Sequence, residues 1–421
     1  MNSRMKQGCL AKCRAEKIPK TRSRSCWRGK FSDSVVIAPY ALVLSSCLIQ
    51  MDSMTATPDS HMLVIGAGLM GRLLALALAR AGHRVEVHEA GPQDATGSAA
   101  RAAAAMLAPL AESAVTEAGV VRMGSHSLLR WPQLIAQLAQ PTFFQQNGTL
   151  IVWHRQDAAE ATRFARHMDS TARAMPELPP AQTLDGAAIA ALEPALGQRF
   201  ENGLYLPGEG QLDNRQLLAA LQQGLESMKV TLHWNSPRSP EDFRPGASGQ
   251  PDWVFDCRGL GAKPQWPGVR GVRGEVLRVH APEVTLLRPV RLVHPRYPLY
   301  IAPKQDHVFV IGATEIESED MSPASVRSAL ELLSAAYSVH SGFAEARLLE
   351  ISTQCRPTLI DNLPAVRFTA PHTIQINGLY RHGFLIAPAM LDVVMELLQS
   401  GHSALADRFN LRVERPAAAM A

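Results

Sequence analysis

His61-Met62-Leu63-Val64-Ile65-Gly66-Ala67-Gly68-Leu69-Met70-Gly71 is the stretch that decides the fold. A short apolar run enters a turn carrying three glycines. An Ala- and Leu-rich helix, Arg72 to Ala81, comes next and is stopped by Gly82. Arg84-Val85-Glu86-Val87-His88 then alternates as a second strand and ends at Glu89. Strand, glycine turn, helix and strand in this order form the unit that holds the ADP part of a dinucleotide. Gly66 permits the tight turn, and Gly68 lets the backbone approach a pyrophosphate. Gly71 lets helix and strand lie close, and Leu69 and Met70 open the helix whose positive end faces the phosphates. Glu89, with Ala90 after it, is placed to accept from ribose hydroxyls and favours an unphosphorylated ribose. A glycine turn that merely joined strand to helix would not explain that acid. The unit alone does not separate FAD from NAD.

Outward from this unit, composition sets bounds. The 421 residues are 46% hydrophobic and 19% charged, enough for two or three domains with sizeable cores. The net charge of +4 is unevenly spread: residues 1–50 hold ten lysines and arginines against Glu16 and Asp33, so the other 371 residues carry a net −4. With only 6% aromatic residues as well, no nucleic-acid surface is expected. Cys9, Cys13, Cys26 and Cys47 lie in the same N-terminal stretch, leaving Cys257 and Cys355 for the body. That is no disulfide framework, and a reducing cytoplasm is the expected setting. No run of 18 apolar residues exists, so no transmembrane segment is expected.

Residues 1–60 read as a disordered or non-native extension, with Met51, Met54 and Met62 as alternative starts. Val35–Ile49 is apolar, and Leu44-Ser45-Ser46-Cys47 resembles a lipoprotein processing box. The basic region before it is too long for a signal peptide, and Pro39 interrupts the run.

The segment beyond the dinucleotide unit bears on the cofactor. A nicotinamide enzyme would normally continue into another helix–strand repeat, whereas Ala99 to Pro109 reads AARAAAAMLAP. An Ala-rich helix is the plain reading of it. Together with the dinucleotide unit, AAAAMLAPLAE resembles the D-amino acid oxidase superfamily of flavoproteins, and within it the glycine oxidases of thiamine biosynthesis. The resemblance implies that Ala104, Ala105 and Met106 pack along the flavin of FAD. Ala105 stands where the family commonly has glycine.

Three later segments extend the resemblance. Tyr300-Ile301-Ala302-Pro303, a loop at Lys304–His307, and Val308 through Gly312-Ala313-Thr314-Glu315 form a strand pair. Tyr300 matches the tyrosine whose hydroxyl contacts the substrate carboxylate. Cys355-Arg356-Pro357 through Asp361 and Pro364 resembles the family's arginine motif. Arg356 matches the arginine that pairs with the substrate carboxylate, a task for which a guanidinium fork is suited. An ion pair with Asp361 is the structural alternative. Cys355 raises the question of a covalent flavin link, but its spacing to Asp361 is off by one. Gly378 through Leu379, Tyr380, Arg381, His382, Gly383, Phe384 and Leu385 to Pro388 resembles the flavin-contacting end of the fold, with Leu379 replacing a histidine. Arg381 matches a second substrate-side arginine. Pro388 is expected in the first turn of the next helix. His382 as a base is not needed, and no catalytic side chain is assigned.

The remaining chain reads as strands and helices around these motifs. Asn147-Gly148 between two β-prone runs predicts a hairpin. Residues 160–174 predict a helix, and Asp213 and Asn214 cap another. The 14 histidines look scattered and no metal site is expected. The expected fold is α/β: a Rossmann-like FAD-binding domain from 61–108, 208–268 and 354–412, and an antiparallel-sheet α+β substrate domain from 109–207 and 269–353. The resemblance implies non-covalent FAD, a small amino acid substrate, glycine first, and hydride transfer to flavin N5. Oxygen or another electron acceptor would take the electrons, and a homo-oligomer is open. A D-amino acid or sarcosine oxidase or dehydrogenase is the nearest alternative. A nicotinamide dehydrogenase and a non-catalytic flavin-binding protein are the more distant ones.

Overall fold

In the computed structural model, residue 56 and residues 59–293 and 299–416 are described. The expected N-terminal extension lies almost wholly outside them, as do Tyr297 and Pro298.

Two large sheets organise the chain. A seven-stranded sheet has the order β18 (Arg412–Glu414), β16 (Ala365–Ala370), β17 (Thr373–Asn377), β10 (Trp253–Asp256), β1 (His61–Ile65), β2 (Arg84–His88) and β9 (Thr231–His233). Its pairings are parallel except β16 with β17. A strand pleat sends alternate side chains to opposite faces. Met62, Val64, Val85 and Val87 therefore join the main core beneath α1 (Leu69–Arg80), while Leu63 and Ile65 pack on the other face. That core continues into α2 (Ala118–Ile135), α3 (Asn214–Ser227) and α4 (Gly383–Ser400). Asp213 caps α3, accepting from the backbone amides of Arg215 and Gln216 at 2.9 Å each.

An eight-stranded sheet has the order β15 (Arg347–Thr358), β11 (Arg270–His280), β14 (Val308–Gly312), β13 (Leu299–Pro303), β12 (Val290–Leu292), β5 (Thr149–Val152), β7 (Asn202–Leu206) and β6 (Gln182–Asp185). It is antiparallel except for the parallel pair of β12 and β5. Strand β15 runs through the expected domain limit at 353/354, so Arg356 stands on this sheet, opposite Val272.

Two expectations fail here. Asn147-Gly148 is not a hairpin turn: β4 (Phe144–Gln145) pairs with β8 (Gly210–Leu212), in a three-stranded sheet completed by β3 (Met106–Leu107), whereas β5 pairs with β12 and β7. The chain changes sheets at this point. Gly148 is needed because a Cβ there would meet the Tyr205 ring at 2.3 Å. Pro388 is not in the first turn of α4 but well inside it. A proline offers no N–H to the carbonyl four residues earlier. The Trp131 indole instead donates to the Phe384 carbonyl at 2.8 Å, which leaves that buried oxygen satisfied.

Although no run of 18 residues is wholly apolar, Tyr380–Ser400 is apolar enough on average, and long enough, to cross a membrane. Here it is a core helix, with Phe384 to Leu391 buried.

Candidate active site

One cleft of about 810 Å³ runs between the two sheets. Every residue singled out from the sequence as contacting cofactor or substrate lines it, apart from Gly71. Gly71 has a packing role, because a Cβ there would sit 1.8 Å from the Gly66 carbonyl oxygen.

At one end the cleft is made of backbone. Gly66 takes a φ of +96°, and a Cβ would stand 2.8 Å from the Cys257 carbonyl group. Gly68 caps α1 without any side-chain hydrogen bond, so the first amides of the helix face the cleft. Such orphan amides with the helix dipole suit a phosphate. The Glu89 carboxylate accepts from the backbone amides of Ala67 at 2.5 Å and Gly91 at 2.9 Å, which fixes it at the cleft wall.

The middle is formed by Ala104, Ala105 and Met106. Residues Ala99–Ala102 make only one helical turn, and the chain then straightens into β3. Ala105 adopts a φ of +54°, in the left-handed region. The buried ammonium of Lys304 donates to the carbonyls of Ala104 at 2.9 Å and Leu212 at 2.7 Å. Burial pushes its pKa down to about 7. Across the cleft stand Leu379 to Leu385 and the amino end of α4.

At the other end the cleft is made of charged side chains. Arg356 donates to the Thr314 carbonyl from both terminal nitrogens, at 3.1 Å each, and meets no carboxylate among the described residues. Asp361 pairs instead with Arg412 at 2.7 Å, so the structural alternative for Arg356 falls. Thr314 is itself held: its hydroxyl donates to Glu275 at 2.9 Å, and Glu275 pairs with Arg273 at 2.7 Å. Tyr300 lies on β13 opposite Arg291, with its hydroxyl over Gly312, where a Cβ would approach it to 2.8 Å. Burial raises its pKa, so the phenol stays protonated.

Arg381 is not free. It meets Glu315 at 3.1 Å and Glu112 at 3.2 Å. Glu112 also binds Arg291 at 2.5 Å and has His382 Nδ1 at 3.4 Å. Although burial opposes ionisation, Arg291 and Arg381 hold the Glu112 carboxyl far below its ordinary range. Burial drives His382 down to about 4, so its ring is neutral near pH 7. Glu112 and Arg291 carried no role in the sequence reading. Their signal was a lone charge in an apolar setting, Leu110-Ala111-Glu112 and Val290-Arg291-Leu292. Two arginines, 291 and 381, are thus balanced by two carboxylates, 112 and 315, and the positive charge of Arg356 is left over.

The Cys355 sulfur turns to the other face of β15, toward the carbonyls of Ser318 at 3.7 Å and Asp320 at 3.9 Å. Burial raises its pKa, which disfavours the thiolate. Cys257 is half-buried against the main core.

A glycine turn on a parallel sheet, with a carboxylate beyond it and an arginine-lined pocket at the far end of one cleft, defines a dinucleotide-dependent oxidoreductase. Residues 61–397 match the family described as FAD dependent oxidoreductase (DAO), and the chain belongs to that family. It is 41% identical over 344 residues to a Rhizobium etli protein named for a thiamine biosynthesis oxidoreductase, ThiO, covering 80% of this chain and 96% of that one. It is 26% identical over 370 residues to the glycine oxidase of Geobacillus kaustophilus, covering 81% and 93% of the two chains. The crystal structure of glycine oxidase from that organism superposes with a TM-score of 0.68 at 23% identity, over 80% of this chain and 95% of the other. The iminodiacetate oxidase of Chelativorans sp. BNC1 gives 0.69 at 20% identity, over 84% and 99%. The chain is an FAD-dependent oxidoreductase. The cleft fits that cofactor: one continuous channel joins the orphan amides and Glu89 to the arginine pocket.

Proposed function

We propose that this chain oxidises a small amino acid, glycine first, to its imine, in support of thiamine thiazole synthesis. The observation that carries this reading is the charge count of the pocket. Arg356 is a half-buried guanidinium without a carboxylate partner among the described residues, and a substrate with one carboxylate neutralises it. A dicarboxylate would leave one negative charge to face Glu112 and Glu315. Relatives named for thiamine biosynthesis and glycine oxidation point the same way.

In this reading, segments 61–108, 208–268 and most of 354–412 hold FAD without a covalent bond, and 109–207 and 269–353, with Arg356 on the end of β15, shape the pocket. The amides of Gly68, Leu69 and Met70 hold the pyrophosphate, and Glu89 holds the ribose. FAD, when bound, supplies the two-electron acceptor for the Cα–H hydride. Arg356 takes the substrate carboxylate in its fork while Tyr300 donates to it, so the Cα–H bond is fixed in one direction. Orientation of this kind is a large part of what a site contributes. Thr314, braced by Glu275 and Arg273, keeps the Arg356 guanidinium in place. An amine that binds already deprotonated requires no side-chain base, consistent with a His382 that is neutral and turned to Glu112.

The test is the visible spectrum of the purified protein before and after anaerobic glycine. Bleaching of a yellow protein by glycine is the expected result. Bleaching by D-alanine, D-proline or sarcosine alone moves the substrate, and a colourless protein that takes up no FAD overturns the reading.

A further inference from the structure

The histidines that look scattered in the sequence are not all scattered in the fold. The register of the parallel sheet brings His61 on β1, Glu86 and His88 on β2, and His233 on β9 to the face opposite α1. All three imidazole Nε2 atoms converge on one carboxylate. His88 lies 2.9 Å and His233 3.1 Å from Glu86 Oε1, and His61 lies 3.2 Å from Glu86 Oε2.

We propose that Glu86, His88 and His233 form a binding site for a divalent first-row transition ion such as zinc, nickel or cobalt, with His61 orienting the carboxylate. One donor atom from each of the three lies within 4.8 Å of the others. Zinc bonds of about 2.0 to 2.1 Å place tetrahedral ligands roughly 3.3 Å apart, close to the two nitrogen–carboxylate distances here. Two imidazoles and a carboxylate are a donor set that zinc, nickel and cobalt accept.

The surroundings supply what a metal-bound histidine needs behind it. His88 Nδ1 stands 3.0 Å from Ser236 Oγ. With the proton on Nδ1 and donated to that hydroxyl, the Nε2 lone pair is free for the ion. The His88 and His233 rings are stacked at 4.3 Å and 13°, so their lone pairs must tilt toward a common point. His233 is free to make that movement, because it lies on an edge strand with its side chain 41% exposed. His88 is 6% exposed and fixed, and Phe243 packs 6.2 Å from its ring. One ligand is therefore set and one can close.

The site is separate from the substrate chemistry yet adjacent to the cofactor. Glu89 comes directly after His88, and the Glu89 amide donates to the His233 carbonyl at 2.9 Å. An ion bridging β2 and β9 ties together the two strands that support the ribose carboxylate.

Cobalt(II) titrated into the FAD-loaded full-length protein tests this, monitored by its d–d absorption and by competition with zinc. One equivalent with nitrogen and oxygen ligation is expected. His233→Ala and Glu86→Gln should each weaken that equivalent by roughly tenfold or more, and His61→Gln by a smaller factor. FAD content and turnover measured in parallel show that the variants are folded, and both should stay at the level of the unsubstituted protein. Cobalt bound with thiolate charge-transfer bands alone, or with equal affinity in His233→Ala, places the ion elsewhere and overturns the site. No binding at all leaves the cluster a hydrogen-bond network and also overturns it.

Discussion

At the dinucleotide end of the cleft the chain works with backbone amides and absent side chains. Gly66, Gly68 and Gly71 leave room, and the first amides of α1 are left without a cap. At the substrate end it works with charge: three arginines, two glutamates and a neutral histidine from five separate stretches of chain. The first end is sensitive to an added atom and the second to a removed charge. Flavin loading and substrate affinity should therefore respond to different substitutions.

The largest effect is expected at Gly71. A Cβ placed 1.8 Å from a backbone oxygen cannot be relieved by a side-chain rotation. Gly71→Ala should lose roughly 4 kcal/mol or more, in the range reserved for severe core defects. Denaturant midpoint and bound FAD per chain read it out. Wild-type values for both would break the description of this end as a close-packed backbone turn.

Arg356→Ala comes next. Loss of one partner from a buried charge pair costs roughly 2–5 kcal/mol, so kcat/KM for glycine should fall by about thirtyfold or more. FAD content should hold. Arg356→Lys should recover only part, since an ammonium lacks the fork. If flavin is lost along with affinity, the two ends are not independent.

The pH dependence of stability sharpens the comparison at the charged end. His382 titrates near 4 in the fold and near 6.5 when unfolded. Between those values the unfolded chain holds the extra proton, so stability is full above about pH 6.5 and falls as pH drops toward 4. The loss from this one group is roughly 3 kcal/mol. Glu112, whose folded pKa is depressed, adds to it below about pH 4.3, where the unfolded carboxyl protonates. Urea unfolding from pH 7 to 4 should show this slope, and His382→Gln should flatten it between 6.5 and 4.

The contrast also explains what could be read from the sequence. The dinucleotide unit is contiguous: strand, glycines, helix, strand and Glu89 fall within 29 residues, 61–89, and each local preference agrees with the next. The arginine pocket is not contiguous. Glu112, Arg291, Arg356 and Arg381 are brought together only when β12, β15 and the turn before α4 face one cleft. Periodicity says nothing about such meetings, so Arg356 and Tyr300 stand out by resemblance alone, and Glu112 and Arg291 do not stand out as site residues. The hairpin error has the same origin: Asn147-Gly148 is a good turn by local chemistry, but the strands on either side find partners in different sheets. The Glu86 and histidine cluster depends on the register of three strands, which no spacing in the sequence reveals.

The smallest effect expected lies between the two ends, at Ala105. Its φ of +54° is one that an L-residue with a Cβ adopts at a cost of roughly 1–2 kcal/mol. Glycine adopts it freely but loses more chain entropy on folding, about 0.4–1 kcal/mol relative to alanine. The difference favours glycine by about 0 to 1.6 kcal/mol. The conformation is held from outside: the Leu212 amide donates to the Ala105 carbonyl at 3.1 Å, and Lys304 holds the Ala104 and Leu212 carbonyls. Ala105→Gly should therefore raise the denaturant midpoint while leaving flavin content and the KM for glycine unchanged. A lowered midpoint would mean that the methyl group, 5% exposed and packed in the main core, contributes more than its backbone strain removes. The middle of the cleft would then obey the rules of the core rather than those of the glycine turn.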